Sequence, residues 1–102
     1  MFTSDNFPRL SHKEFVILEM LINMGEMYGL EMVSSSAGEL KRGTIYVTLQ
    51  RMIEKKFIRS QEMTGFKAET GNIRRKYRTT DLGEKVFKAQ ELALRYLNMN
   101  IR

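Results

Sequence analysis

Between Lys41 and Arg78 the chain carries eleven Lys or Arg and three acidic residues, a local net charge of +8. The cations are Lys41, Arg42, Arg51, Lys55, Lys56, Arg59, Lys67, Arg74, Arg75, Lys76 and Arg78. Residues 1–40 run the other way, with six acids against Arg9 and Lys13, so the overall +5 conceals a polarised chain. Side chains of this kind and density neutralise phosphates, and the pattern marks a surface for a polyanion. Other chemistry is poorly provided for. The absence of Cys excludes disulfides and thiolate metal sites, and the single His12 excludes a His-rich one. Ser11, His12 and Glu14 have the residue types of a nucleophile, a base and an acid. Adjacent helix positions point in different directions, however, and Ser11 is needed as a helix cap. An enzyme is therefore the least favoured class, and no cofactor is implied.

The elements that must position these cations follow from spacing. With 102 residues and 42% hydrophobic content, one small core is expected. Eight Met and no Trp make it an adaptable one. No apolar run approaches the ~18–20 residues of a membrane span, and residues 1–6 lack a basic-then-apolar signal pattern. A soluble, cytoplasmic, nucleoid-associated protein is expected. Residues 1–10 read as an arm containing the only proline, Pro8. Ser11 and Glu14 then form a capping box, with Leu10 and Phe15 spaced as a hydrophobic staple. The helix they start runs through Phe15, Leu18, Leu21 and Ile22 to about Met24, and Gly25 ends it. A second helix is predicted over Met27 to Ser35, with Leu30 and Val33 inward, and a turn at Ser34 to Gly38. A third is predicted over Gly43 to Lys55. On it Ile45, Leu49, Met52, Ile53 and Lys56 share one face, and Thr44, Val47, Thr48, Gln50, Arg51 and Lys55 the other.

After Lys56 the period changes to two. Phe57 to Met63 and Ile73 to Thr79 read as antiparallel strands joined by a polar loop with Gly65 and Gly71. In the second strand Ile73, Arg75, Tyr77 and Thr79 share one face, and Arg74, Lys76 and Arg78 the other. Thr80 or Asp81 caps a last helix to about Asn100. The order is that of a mainly α winged helix-turn-helix domain with a small two-stranded β wing. It would occupy residues 11–80, between the 1–10 arm and an 81–102 dimerisation helix.

Such a domain places its third helix in the major groove of double-stranded DNA and its wing along the backbone. Lys67, Arg74, Arg75 and Lys76 are the wing's phosphate candidates, and Lys55 joins them from the outer helix face. Val47 points outward, where it can meet a thymine methyl. Lys41 and Arg42 stand at the positive end of the helix macrodipole, at a cost of roughly 0.3–1 kcal/mol each. No capping residue occupies position 41. A phosphate docked there would relieve both faults.

The segments Leu10–Leu18 and Met27-Tyr28-Gly29-Leu30-Glu31 resemble the opening of the PadR family of bacterial transcriptional regulators. Arg42-Gly43-Thr44-Ile45-Tyr46-Val47-Thr48-Leu49-Gln50-Arg51-Met52 resembles that family's recognition helix. Arg74-Arg75-Lys76-Tyr77-Arg78-Thr79-Thr80 with Gly83 resembles its wing strand and the start of the last helix. The resemblance spans about residues 10–88 and implies a dimeric winged-helix repressor. It implies DNA-facing roles for Thr44, Thr48 and Arg51, and a backbone-facing role for Tyr28. Tyr46 matches a characteristic tyrosine that either packs or contacts DNA. Three positions depart from the pattern. Lys41-Arg42 replaces a common Ser-Pro, Lys56 replaces the usual glycine, and Thr79 replaces an aliphatic residue.

In the last helix Leu82, Val86, Ala89, Ala93 and Leu97 form one apolar line, and Phe87, Leu94 and Ile101 another. At ~1.5 Å per residue the helix is about 28 Å long, more than a small body can cover. Leu82, Val86, Phe87, Ala93, Leu94, Leu97 and Ile101 are therefore expected to pair with a second copy, presenting two reading helices to a pseudo-palindrome. The alternatives are a helix folded onto its own domain, a dimer-interface pocket for a small-molecule effector, and a winged helix used for protein contacts. The last would not need the +8 segment.

Overall fold

The computed structural model describes residues 9–63 and 74–99, which form four helices and a three-stranded antiparallel sheet. Helix α1 spans His12–Met24. Its capping box is reciprocal: the Glu14 amide donates to Ser11 Oγ at 3.2 Å, and the Ser11 amide donates to Glu14 Oε1 at 2.9 Å. Gly25, at φ +84°, closes the helix with its amide on the Leu21 carbonyl at 3.0 Å.

Met27 and Tyr28 correct the sequence reading, because they begin no helix. They form a two-residue strand β1, and helix α2 starts at Gly29 and ends at Ser35. This shift explains a second correction. Leu30, expected inward, is 43% exposed, whereas Met32 is fully buried. Two residues on a helix are about 200° apart, so a helix that seats Met32 must expose Leu30. The turn after α2 is held by Ser36, whose Oγ donates to the Val33 carbonyl at 2.9 Å and accepts from the Leu40 amide at 3.0 Å. Helix α3 spans Ile45–Glu54 and buries Ile45, Leu49 and Met52.

Strand β2, Ile58–Met63, pairs with β3, Arg74–Thr79, in the register Ser60↔Tyr77 and Glu62↔Arg75. On its other edge β3 pairs with β1, Tyr28 opposite Lys76, so the sheet order is β1-β3-β2. The expected two-stranded wing is thus three-stranded at its base. Phe57 precedes β2 rather than joining it, and is buried. The predicted arm up to Pro8, the loop with Gly65, Lys67 and Gly71, Ile73, Asn100 and Ile101 lie outside the described residues.

Helix α4, Asp81–Met99, is rooted by a compact knot. Thr80 Oγ1 donates toward the Lys56 and Phe57 carbonyls at 2.7 and 3.0 Å and accepts from the Gly83 amide at 3.0 Å. A Cβ on Gly83 would stand 2.1 Å from the Phe57 carbonyl oxygen, so only glycine fits this approach. Farther along, Phe87 stacks on Phe15 of α1 with centroids 4.6 Å apart. Gln90 Oε1 accepts from the Leu10 amide at 3.0 Å, and its Nε2 donates to the Leu10 carbonyl at 3.4 Å. Between these anchors lies the core, in which Ile17, Leu18, Met32, Ile45, Leu49, Met52 and Ile58 are fully buried. Each contributes about 1.5–3 kcal/mol of hydrophobic stabilisation.

Candidate nucleic-acid interface

Helix α3 presents Tyr46, Val47, Gln50, Arg51 and Glu54 to solvent, with Thr44 exposed just before it and Thr48 half-buried on the flank. The helix begins later than expected. Lys41 and Arg42 sit in a turn whose Lys41 carbonyl accepts from the Thr44 and Ile45 amides at 3.2 and 3.0 Å. Thr44 holds the N-cap position without a side-chain cap, and no acid occupies the first turn. Both exposed cations therefore stand just before a helix start that has no side-chain cap, an arrangement suited to an anion. Thr48 Oγ1 donates back to the Thr44 carbonyl at 3.3 Å, and Gln50 Nε2 reaches Glu54 Oε2 at 3.5 Å.

Lys55 has a partner within the chain. Its Nζ lies 2.7 Å from Glu14 Oε2, the buried carboxylate that also caps α1. Glu14 is only 4% exposed, and a buried carboxylate without a cation is costly. Lys55 stands at the C-cap of α3 with its side chain 46% exposed, so the pair fixes the end of that helix at the edge of the basic surface.

The wing divides its cations between two faces. Tyr77 points into the core, and burial followed by the phenol of Tyr46 pushes its own phenol above the ordinary 10.0, with Arg75 pulling the other way. Arg75 shares the Tyr77 face of the strand and meets Glu62 across the sheet at 3.3 Å. Arg74 and Lys76 lie on the opposite face, over the ring of Tyr28 at 4.1 and 5.3 Å from its centroid. Tyr28 is thus held against the wing by cation–π contacts, rather than presented from a helix. Arg78, on the same side, is 3.8 Å from Glu26.

Tyr46 links this wing surface to α3. A Cβ built on Gly29 would stand 2.8 Å from Tyr46 Cε1, so the glycine after Tyr28 makes room for the tyrosine ring. Tyr46 nonetheless remains 51% exposed, packing with one side and facing solvent with the other. Contacts therefore run from α3 through the Tyr46 ring to the buried backbone at Gly29, and from the adjoining Tyr28 ring to Arg74 and Lys76. Reading along the chain could flag the Tyr-Gly and Gly-Thr-Ile-Tyr motifs. Their contact is visible only in three dimensions.

Two of the three departures from the family pattern have clear structural outcomes. Lys56 adopts the left-handed φ of +68° that its usual glycine would supply. Thr79 Oγ1 is buried with no hydrogen-bond partner among the described residues.

On α4, Val86 and Phe87 are only 6% exposed and belong to the chain's own core. This corrects their assignment to the pairing surface: they fasten the helix to the body. Leu82, Ala93, Leu94 and Leu97 are exposed, as are Leu92 and Tyr96, which the two apolar lines missed. Leu92 and Tyr96 fall four residues apart on a third flank, a signal that was available in the spacing. The ion pairs Glu84–Lys88 and Glu91–Arg95, at 3.5 and 3.6 Å, occupy the remaining stripe.

Three helices, a three-stranded sheet extended into a wing, and a fourth helix define a winged helix-turn-helix protein. Residues 17–89 match the transcriptional regulator PadR-like family. The chain belongs to that family, one of DNA-binding transcriptional regulators and not of enzymes. Among solved structures it is similar to a PadR family transcription regulator from Clostridium difficile, with a TM-score of 0.73 and 24% identity over 87% of this chain and 93% of that one. A protein from Thermoplasma acidophilum is 28% identical, with a TM-score of 0.67 and coverage of 86% and 84%. One from Clostridium thermocellum is 26% identical, with a TM-score of 0.63 and coverage of 87% and 92%. Among curated proteins none matches significantly. Among the described residues no helix is long and apolar enough to cross a membrane.

Proposed function

We propose that the protein is a homodimeric repressor that binds a pseudo-palindromic operator in cytoplasmic, nucleoid DNA. The observation that carries the reading is the continuous surface from the outward face of α3 through Tyr46, Gly29 and Tyr28 to Arg74 and Lys76. In this reading α3 lies in the major groove with Thr44, Val47 and Arg51 toward base edges. Lys41 and Arg42 meet phosphates beside the uncapped start of α3, and the wing follows the backbone. Residues 11–80 act as the reading head. The second copy packs along α4 through Leu82, Leu92, Ala93, Leu94, Tyr96 and Leu97, which the described residues leave uncovered. A body this small acts most simply by occupying its site and excluding other proteins.

Fluorescence anisotropy against the DNA upstream of the protein's own gene, at two salt concentrations, tests the reading. Tight, salt-sensitive binding should exceed that to random duplex. Arg51→Ala should lose the preference for the upstream DNA, and Lys76→Ala should lose affinity for all duplexes alike. Equal, weak binding to every duplex would overturn it.

A further inference from the structure

We infer that the centre of α3 selects its site by packing on thymine 5-methyl groups, and that Val47 is the residue that makes this contact. The inference rests on the DNA-binding reading above and names the feature of the base pair that the helix recognises.

Val47 is 54% exposed on the outer face of α3. A β-branched residue gains nothing from a solvated helix position, where straight-chain residues are better helix formers. Its neighbours on that face are polar or charged: Thr44 one turn before it, Gln50 and Arg51 one turn after. Lys41 and Arg42 stand at the helix start. An apolar side chain with Arg51 one turn after it and Lys41 and Arg42 before the helix suits a polyanion with one apolar feature inside its charged surface. In the major groove that feature is the thymine methyl. The polar neighbours are partly engaged already, because Thr48 Oγ1 donates to the Thr44 carbonyl and Gln50 Nε2 to Glu54. Hydrogen-bond readout at mid-helix therefore falls mainly to Arg51, and a methyl contact by Val47 adds discrimination beside it. Val47 is also stiff about χ1, so little rotamer freedom is lost when it docks.

The test begins with selection of a preferred duplex from a random pool by the full chain. Each thymine of the selected site is then replaced, one at a time, by deoxyuridine, which removes only the methyl. At one or two positions uracil should weaken binding about fourfold, the scale of one buried methyl group. Val47→Ala should abolish the thymine–uracil difference at those positions. Leu30→Ala, which removes an exposed apolar residue from α2 instead, should preserve it. A preferred site at which no uracil substitution matters would overturn the inference while leaving the DNA reading intact. So would a thymine–uracil difference that survives in Val47→Ala. A selection that yields no preferred duplex would overturn both.

Discussion

Lys55 is the C-cap residue of α3, and its ammonium pairs with the carboxylate of Glu14, 41 residues away in the chain. Glu14 itself is fixed by the Ser11 amide, so one buried carboxylate caps α1 and ties it to the end of α3. Lys55→Ala leaves that carboxylate without its cation. Because the lysine end of the pair is solvated, the loss should be about 1–2 kcal/mol, below the range for fully buried pairs. Urea denaturation checks this, and an unchanged midpoint would show the pair to be ornamental. Tyr77 gives a pH signature. Its folded phenol holds the proton more tightly than an unfolded one, because burial and then Tyr46 raise it against the pull of Arg75. Stability from this group is complete below pH 10.0 and is lost as the pH climbs through the higher folded value. Above pH 10.0 the wild type should lose melting temperature faster than Tyr77→Phe; parallel curves would contradict the assignment.

At the scale of elements, the junction between the sheet and α4 is the tightest feature. Thr80 bridges the Lys56–Phe57 turn to the first turn of α4, and Gly83 lies against the Phe57 carbonyl. A methyl there has only backbone to displace. Gly83→Ala should therefore cost about 2–3 kcal/mol, the upper part of the overpacking range, read as a lower denaturation midpoint. The helices were legible in the sequence because they carry long-range regularities. Ser11 and Glu14 announce α1, the 3.6-residue stripe of Ile45, Leu49 and Met52 announces α3, and Thr80 starts α4. Strand β1 was not legible, since Met27 and Tyr28 are too few to show a period and only pairing with β3 makes them a strand. The candidate interface divides in the same way. The outward positions of Thr44, Val47 and Arg51 follow from helix angles alone. The capture of Lys55 by Glu14, and the seating of Arg74 and Lys76 over the ring of Tyr28, depend on partners distant in the chain.

For the whole molecule, α4 is the unbalanced part. Residues 92–98 are exposed at every position, so Leu92, Leu94, Tyr96 and Leu97 have no cover among the described residues. A helix segment of this length, apolar on most sides, is marginal alone in water and gains its stability by packing. Leu94→Lys with Leu97→Lys should shift the protein toward the monomer in light scattering, and the melting temperature of the wild type should rise with its concentration. A wild type that is monomeric at every concentration would remove the basis for a two-fold reading head.

The double hydrogen bond between Gln90 and the Leu10 backbone has a further consequence. Among the described residues it is the outermost polar tie between α4 and the body, with Phe87 inside it and exposed side chains at residues 92–98. Substitutions at residues 92–98 therefore leave the packing of the body untouched. A lineage carrying this fold can lengthen, shorten or re-face that distal segment while keeping the same base-reading surface. In the proposed reading, the pairing face and the outward face of α3 can thus be altered by separate sets of substitutions.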